Sequence, residues 1–77
     1  MSDTYAILGF SETTDGPEVM FESDSSAECD RWRETYTRFG DWGGYDCFAL
    51  YEISPGQSAL FTHMNDAPII TWERDAA

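Results

Sequence analysis

Basic residues are scarce in this chain. It has no lysine, and its four arginines stand against fifteen aspartates and glutamates, so that the formal net charge is −11 at pH 7. A field of this sign repels nucleic-acid phosphates and anionic membranes. We therefore expect no direct nucleic-acid binding and no membrane attachment, and we expect a protein partner with a basic surface. The alternative is that the acids only keep the protein dissolved in a salt-rich cytoplasm.

Cysteines and long apolar runs are also few. Cys29 and Cys47 are too few for a disulfide scaffold, and their separation fits no zinc pattern. We expect two reduced thiols, with a single disulfide between them as the alternative. The longest apolar run, residues 47–51, is far too short to span a bilayer, and no basic segment followed by an apolar run opens the chain. These features predict a cytoplasmic protein, in the host cell if the chain is viral.

The apolar residues that are present include many aromatic rings. Of the 77 residues, 42% are hydrophobic and 16% aromatic, and each large ring can bury about 150–250 Å². This composition argues against disorder, and the length corresponds to a single domain over residues 1–77.

One amphipathic helix is predicted over about residues 25–40. Ser25 can act as N-cap and Glu28 can complete a capping box, while Gly40 can end the helix in the left-handed conformation. Helical spacing predicts one apolar stripe, formed by Cys29, Trp32, Tyr36 and Phe39.

Strands are predicted on both sides of this helix. Runs rich in aromatic and β-branched residues, separated by turn residues, cover 5–10, 18–22, 46–53, 59–64 and 69–73. The fold predicted is α+β, in the order β-β-α-β-β-(β), with a four- to five-stranded antiparallel sheet and the helix packed on one face. If the odd-numbered residues of 46–53 face the helix, Phe48 and Leu50 point to the other face and indicate a second shielded surface.

The net charge lies outside the predicted helix. Residues 25–40 hold three acids and three arginines, whereas residues 1–24 hold six acids and no base, and residues 41–77 hold six acids and one arginine. This segregation favours a directed acidic surface over a uniform one. The acids predicted to bind a partner are Glu12, Asp15, Glu18, Glu22, Asp41, Asp46 and Asp66.

Two aromatic residues in the glycine-rich segment after the helix are predicted to anchor that contact. Trp42 and Tyr45 belong to the residue types that dominate interface hot spots. The alternative is that both rings fold back over the end of a thin core.

No catalytic, cofactor-binding or metal-binding pattern is predicted. His63 is the single histidine, and an acidic field disfavours the thiolate that a cysteine–histidine pair would need. Asp41 and Asp46 fit no EF-hand spacing, and Gly43-Gly44 precedes a strand instead of a helix N-terminus. We therefore expect a protein that is not an enzyme and that has no cofactor.

One stretch of the chain is similar to known small proteins. It consists of residues 21–28, then Trp32 and Tyr36, then Gly43-Gly44-Tyr45-Asp46 and a strand, and it resembles accessory proteins of bacterial and archaeal viruses. With its size and acidity, the chain resembles virus-encoded inhibitors of host defence, of the anti-CRISPR and DNA-mimic antirestriction type. The resemblance implies a mechanism class, in which an acidic surface occupies the cationic channel that a nuclease or surveillance complex uses for nucleic acid.

A second function remains open at this point. The chain could be a structural or assembly domain of a salt-adapted organism or virus that dimerises through the sheet face, with Phe48 and Leu50 in the interface. The two functions differ in the expected oligomeric state, which is a monomer for the inhibitor and a homodimer for the assembly domain.

Overall fold

A computed structural model of the chain describes residues 4–12 and 16–74. Within these residues the chain order is β1 (Thr4–Phe10), β2 (Glu18–Ser23), α1 (Ser26–Tyr36), β3 (Cys47–Ile53), α2 (Ala59–Asn65) and β4 (Ile70–Glu73). The four strands form one antiparallel sheet in the order β2-β1-β3-β4. The predicted α+β fold with a four-stranded antiparallel sheet is confirmed.

The N-terminus of α1 is capped as the sequence predicts, with one difference. The Ser25 hydroxyl oxygen accepts a hydrogen bond from the Glu28 backbone N–H at 3.4 Å. The Glu28 carboxylate, however, accepts from the Ser23 hydroxyl at 2.6 Å, and that hydroxyl oxygen accepts from the Ser25 backbone N–H at 3.1 Å. Ser23 therefore relays the second half of the capping box, and the side chain at the end of β2 joins that strand to the helix.

The C-terminus of α1 comes earlier than predicted. Thr37 is the C-cap, and its backbone N–H and hydroxyl donate to the carbonyl oxygen of Arg33 at 3.0 and 2.9 Å. Gly40 has the expected positive φ of 77°, but it lies beyond the helix. Cys29 and Trp32 pack against the sheet, whereas Phe39 is 90% exposed. The prediction that Phe39 continues the apolar stripe is wrong, because the helical periodicity stops at Tyr36.

Residues 59–64, predicted as the fourth strand, belong to the helix α2, and the prediction of a strand there is wrong. The preceding turn forms as predicted, with the Gln57 N–H donating to the Ser54 carbonyl at 3.1 Å and Gly56 at φ 85°. Ser58 then caps the helix, since its hydroxyl oxygen accepts from the Phe61 N–H at 3.1 Å. A segment of six residues is too short for its hydrophobic pattern to separate helix from strand, and the Ser58 cap is the local signal that favours the helix.

Each face of the sheet carries one helix. Ile7, Cys29, Phe48 and Leu50 form the buried core under α1. The core under α2 consists of Ala6, Leu8, Ala49, Tyr51, Ile53 and Ala59. The predicted second shielded surface therefore exists, and a helix of the same chain covers it.

The faces of β3 are the reverse of those expected. Phe48 and Leu50 point towards α1 and are buried, whereas Ala49 and Tyr51 point towards α2. The sequence left the choice of face open because β3 is apolar on both sides, so alternation alone does not say which set meets which layer. The expectation that Phe48 and Leu50 lie in a dimer interface is wrong, because both are inside the core.

Candidate partner-binding surface

Acidic residues from four strand ends meet at one end of the sheet. β1 and β4 finish there and β2 and β3 start there, as the pairs Gly9–Glu18, Phe10–Cys47 and Cys47–Glu73 establish. Because neighbouring strands lie about 4.8 Å apart, the four ends span about 14 Å. We call the carboxylates at these ends the acidic edge; its members are Glu18, Glu12, Asp46 and Glu73 in the order of the strands.

Asp46 ties the ends of β1 and β4 together. Its carboxylate accepts from the Glu12 backbone N–H at 3.1 Å and from the Arg74 guanidinium at 3.1 Å. Backbone bonds run in parallel with these contacts, from the Asp46 N–H to the Phe10 carbonyl at 2.7 Å and from the Arg74 N–H to the Asp46 carbonyl at 2.9 Å. The ion pair is half exposed and contributes little stability. Its importance is electrostatic, because Arg74 offsets the charge of Asp46 and of no other edge carboxylate among the described residues.

Trp42 and Tyr45 pack on the core under α1. The Trp42 ring stacks on Phe48 with centroids 5.2 Å apart and an interplanar angle of 9°, and Tyr45 is tilted against the same ring at 5.7 Å. Tyr45 also crosses Gly9, where an added Cβ would lie 2.9 Å from its Cδ1 atom. Both side chains are half-buried. Packing over the end of the core is therefore their structural role, and their role as anchors for a partner stays a prediction.

The Tyr45 hydroxyl links this packing to the acidic edge by donating a hydrogen bond to the Glu18 carboxylate. That bond, reinforced by burial and by the negative charge of Glu18, raises the pKa of the Tyr45 phenol above its ordinary value of 10.0. A raised folded-state pKa contributes stability below pH 10.0 that is lost as the pH rises through the folded-state value.

We expect Glu18→Gln to lower the pKa of Tyr45 towards its ordinary value, because the acceptor remains but its charge is gone. The measurement is an alkaline titration of phenolate absorbance, with Tyr45→Phe identifying the Tyr45 contribution. Glu52→Gln is the matched control, since Glu52 accepts from a different tyrosine, Tyr5, at 3.2 Å. An unchanged Tyr45 titration in Glu18→Gln would contradict the contact.

The remaining predicted acids lie apart from the acidic edge. Asp41 is in the loop that carries Trp42 and accepts from the Gly43 N–H at 2.9 Å. Glu22 is paired with Ala6, which faces α2, and Asp66 is the C-cap of α2. Asp15 lies outside the described residues. Sequence reasoning missed Glu73, because only the strand order brings the end of β4 beside the start of β3.

Three of the four arginines lie on α1 or directly after it. Arg31 and Arg33 lie on α1 and Arg38 follows it, while Arg74 is paired at the acidic edge. Arg33 is held by Asp30 at 2.9 Å and lies over the Trp72 ring at 4.8 Å. Over the described residues, the α2 side of the sheet carries no arginine or lysine. The charge is therefore uneven in space as well as along the chain.

The two cysteine thiols and the histidine imidazole take part in packing and hydrogen bonding within the fold. Cys29 and Cys47 are free, and they belong to opposite faces of the sheet, which excludes a disulfide between them in this fold. Burial raises the pKa of both thiols, and Glu73 and Asp46 reinforce the effect at Cys47. The Tyr51 hydroxyl and His63 Nδ1 share a hydrogen bond of 2.8 Å. Residues 4–12 and 16–74 contain no group of three or more His, Cys, Asp or Glu arranged to hold a metal ion.

Comparisons with known proteins add no relative to these observations. Searches against protein families, curated protein sequences and solved structures found no match to this chain. Among the described residues, neither helix has the length and apolar character needed to cross a membrane.

Proposed function

We propose that this chain is an acidic inhibitor that binds a protein and occupies its cationic nucleic-acid-binding surface, in a nuclease or a host defence complex in the host cytoplasm. The observation that supports this most directly is the acidic edge, where carboxylates follow one another at strand spacing. Glu12, Glu18 and Glu73 have no ion-pair partner among the described residues. Glu18 does accept a hydrogen bond from the Tyr45 hydroxyl, but that donor is neutral, so all three carboxylates keep their charge and can attract arginines and lysines that otherwise hold phosphates.

The physical basis of the inhibition is competition for positive charge. The acidic edge gathers several negative charges at one end of the sheet, and a cationic channel attracts them as it attracts the phosphates of a nucleic acid. Charge-rich contacts of this kind form quickly at low salt and weaken as salt screens the field. The half-buried Trp42 and Tyr45 would support the edge from behind and add apolar contact through their exposed parts.

The assembly-domain alternative loses its proposed interface. Both sheet faces are covered by helices, and Phe48 and Leu50 are buried under α1. A dimer would have to use another surface, and the repulsion between two chains of charge −11 opposes it at low salt.

The test is displacement of labelled duplex DNA from a panel of purified restriction endonucleases and CRISPR surveillance complexes. We expect the full chain to displace DNA from at least one of them, with an affinity that falls by about tenfold or more between about 50 and about 200 mM salt. The triple variant Glu12→Gln, Glu18→Gln, Glu73→Gln should displace DNA at least about tenfold less well.

A second triple variant removes the same charge elsewhere. Asp24→Asn, Glu34→Gln and Glu52→Gln change three exposed acids outside the acidic edge, and inhibition should stay within about threefold of the unmodified chain because screened charges act over only about 10 Å. Equal losses in the two triple variants would show that net charge alone matters and would remove the acidic edge as the site. No displacement from any member of the panel would count against the function itself.

A further inference from the structure

The helix α2 turns its large apolar side chains towards water. Leu60, Phe61 and Met64 are 47%, 51% and 80% exposed. At 100° per residue these positions fall within one arc of about 100°. The opposite arc, which packs on the sheet, carries the small or polar residues Ala59 and Thr62 and the half-buried His63. A surface helix of a globular protein normally packs its large apolar residues on the core and exposes its polar ones. The arrangement in α2 is the reverse, so the exposed apolar arc needs an explanation.

Specific contacts fix this orientation of α2. Ala59 and Thr62 are buried on the side of the helix that packs on the sheet, with 5% and 1% of their surface exposed. On the same side of the helix, His63 shares its hydrogen bond with Tyr51 and lies 5.2 Å from the Phe10 ring. Rotating the helix to bury its apolar arc would break these contacts, because Thr62 and His63 would leave the sheet. The exposure is therefore built into the fold.

We infer that Leu60, Phe61 and Met64, here called the α2 patch, form a docking surface for a basic amphipathic segment of a partner protein. Contiguous exposed apolar side chains mark interaction sites, and phenylalanine and methionine are enriched in the centres of such sites. Methionine also adapts its shape to different apolar partners. The seven-residue helix would present the patch as one arc to an apolar stripe on the partner.

Charge complementarity selects a basic segment as the occupant. Glu22 and Glu73 are paired with Ala6 and Cys47, so their side chains share the α2 side of the sheet. Asp66 caps the helix itself. Within the described chain this side has no arginine or lysine, so the charged residues that it shares with the α2 patch are acidic. A second copy of the chain would bring −11 against −11, which disfavours it as the occupant.

This inference rests on the proposed function for the positive charge of the partner, and it adds a second apolar contact, on α2, to that of Trp42 and Tyr45. The acidic edge would draw in the basic surface, and the α2 patch would bind an apolar stripe beside it. The two surfaces use different side chains, which allows them to be tested separately.

The probe is a synthetic peptide of leucine and lysine at helical spacing, titrated against the isotope-labelled full chain. We expect amide shifts to concentrate on residues 58–66, and we expect the double variant Phe61→Gln, Met64→Gln to bind the peptide about tenfold more weakly or worse. Phe39→Gln is the matched control, because Phe39 is 90% exposed and lies on the other side of the sheet beyond α1. The affinity of Phe39→Gln for the peptide should stay within about twofold of that of the unmodified chain.

Several outcomes would overturn the inference. One is that a shuffled peptide of the same composition binds as tightly as the helical one, and another is that a leucine–glutamate peptide or phosphatidylcholine vesicles bind more tightly. A dimer that is seen in sedimentation and that the double variant dissociates would also overturn it. Shifts centred on the acidic edge or on α1 would overturn it as well, even if the double variant failed to fold. Peptide binding at the α2 patch without any DNA displacement would support the inference and count against the proposed function alone. DNA displacement without peptide binding at the α2 patch would support the proposed function and count against the inference.

Discussion

Replacing Phe48 by alanine should lower the free energy of unfolding by about 3–5 kcal/mol, the usual cost of removing a buried phenylalanine. Phe48 is fully buried, and four rings lie 5.2–5.9 Å from its centroid: Trp32, Tyr36, Trp42 and Tyr45. A chain of 77 residues at the usual 0.05–0.15 kcal/mol per residue has a total stability of about 4–12 kcal/mol. The loss is therefore a large part of what holds the fold together.

Urea denaturation followed by tryptophan fluorescence measures this cost. Phe39→Ala is the control of equal chemistry, and it should change the free energy of unfolding by no more than about 0.5 kcal/mol because its ring is in water. Similar costs for the two substitutions would mean that the rings around Phe48 do not form one packed unit.

The Phe48 cluster also supports the candidate site. Tyr45 packs on Phe48 with its ring and binds Glu18 with its hydroxyl, and Trp42 holds the loop in which Asp41 lies. The cavity in Phe48→Ala should therefore loosen the acidic edge before the sheet unfolds, and DNA displacement should fall more than the folded fraction does. The core substitution would thus weaken the proposed function through its effect on Tyr45 and Trp42.

Gly43→Ala should be the second most damaging small change, with a cost of about 2–5 kcal/mol. Gly43 has φ 62°, where an L-residue costs about 1–2 kcal/mol. An added Cβ would also collide with the Tyr36 hydroxyl oxygen and lie 3.1 Å from the Tyr36 Cζ atom. Such overpacking adds about 1–3 kcal/mol.

Gly44→Ala separates the two contributions. Gly44 has φ 88° but no atom within 4 Å of an added Cβ, so its substitution should cost only the backbone term of about 1–2 kcal/mol. Adding Tyr36→Phe to Gly43→Ala removes the colliding oxygen and should recover at least about 1 kcal/mol. Thermal or urea unfolding of the three variants measures this. If Tyr36→Phe recovers nothing, the contact between the loop and α1 is not responsible.

The proposed inhibitor combines two kinds of surface that interfaces commonly use. Long-range attraction comes from the carboxylates of the acidic edge, and short-range affinity comes from apolar side chains that lose water on contact. Electrostatic steering alone gives fast but salt-sensitive binding, whereas the α2 patch would keep a complex together at higher salt. The complex of Phe61→Gln, Met64→Gln should therefore dissociate at a lower salt concentration than that of the unmodified chain, while the slope of the salt dependence stays the same.

Local chemistry was enough to predict α1 and the turn between β3 and α2. Ser25 as cap, the spacing of Cys29 and Trp32, and the Pro55-Gly56 turn all act through contacts within a few residues, which a sequence displays directly. The predicted α+β class followed from the same signals. The excess of acids, with arginines gathered around α1, is likewise a property of the chain before it folds.

Long-range pairing decided the rest. The segment 59–65 becomes helical through its Ser58 cap and its fit on β3, and β3 turns Phe48 towards α1 although both of its faces are apolar. The acidic edge exists because antiparallel order brings residues as distant as Glu12 and Glu73 to one end of the sheet. The residues around Glu12 and Glu73 in the sequence do not indicate that the two come to the same end of the sheet, because register and strand order depend on how the whole chain buries its apolar area.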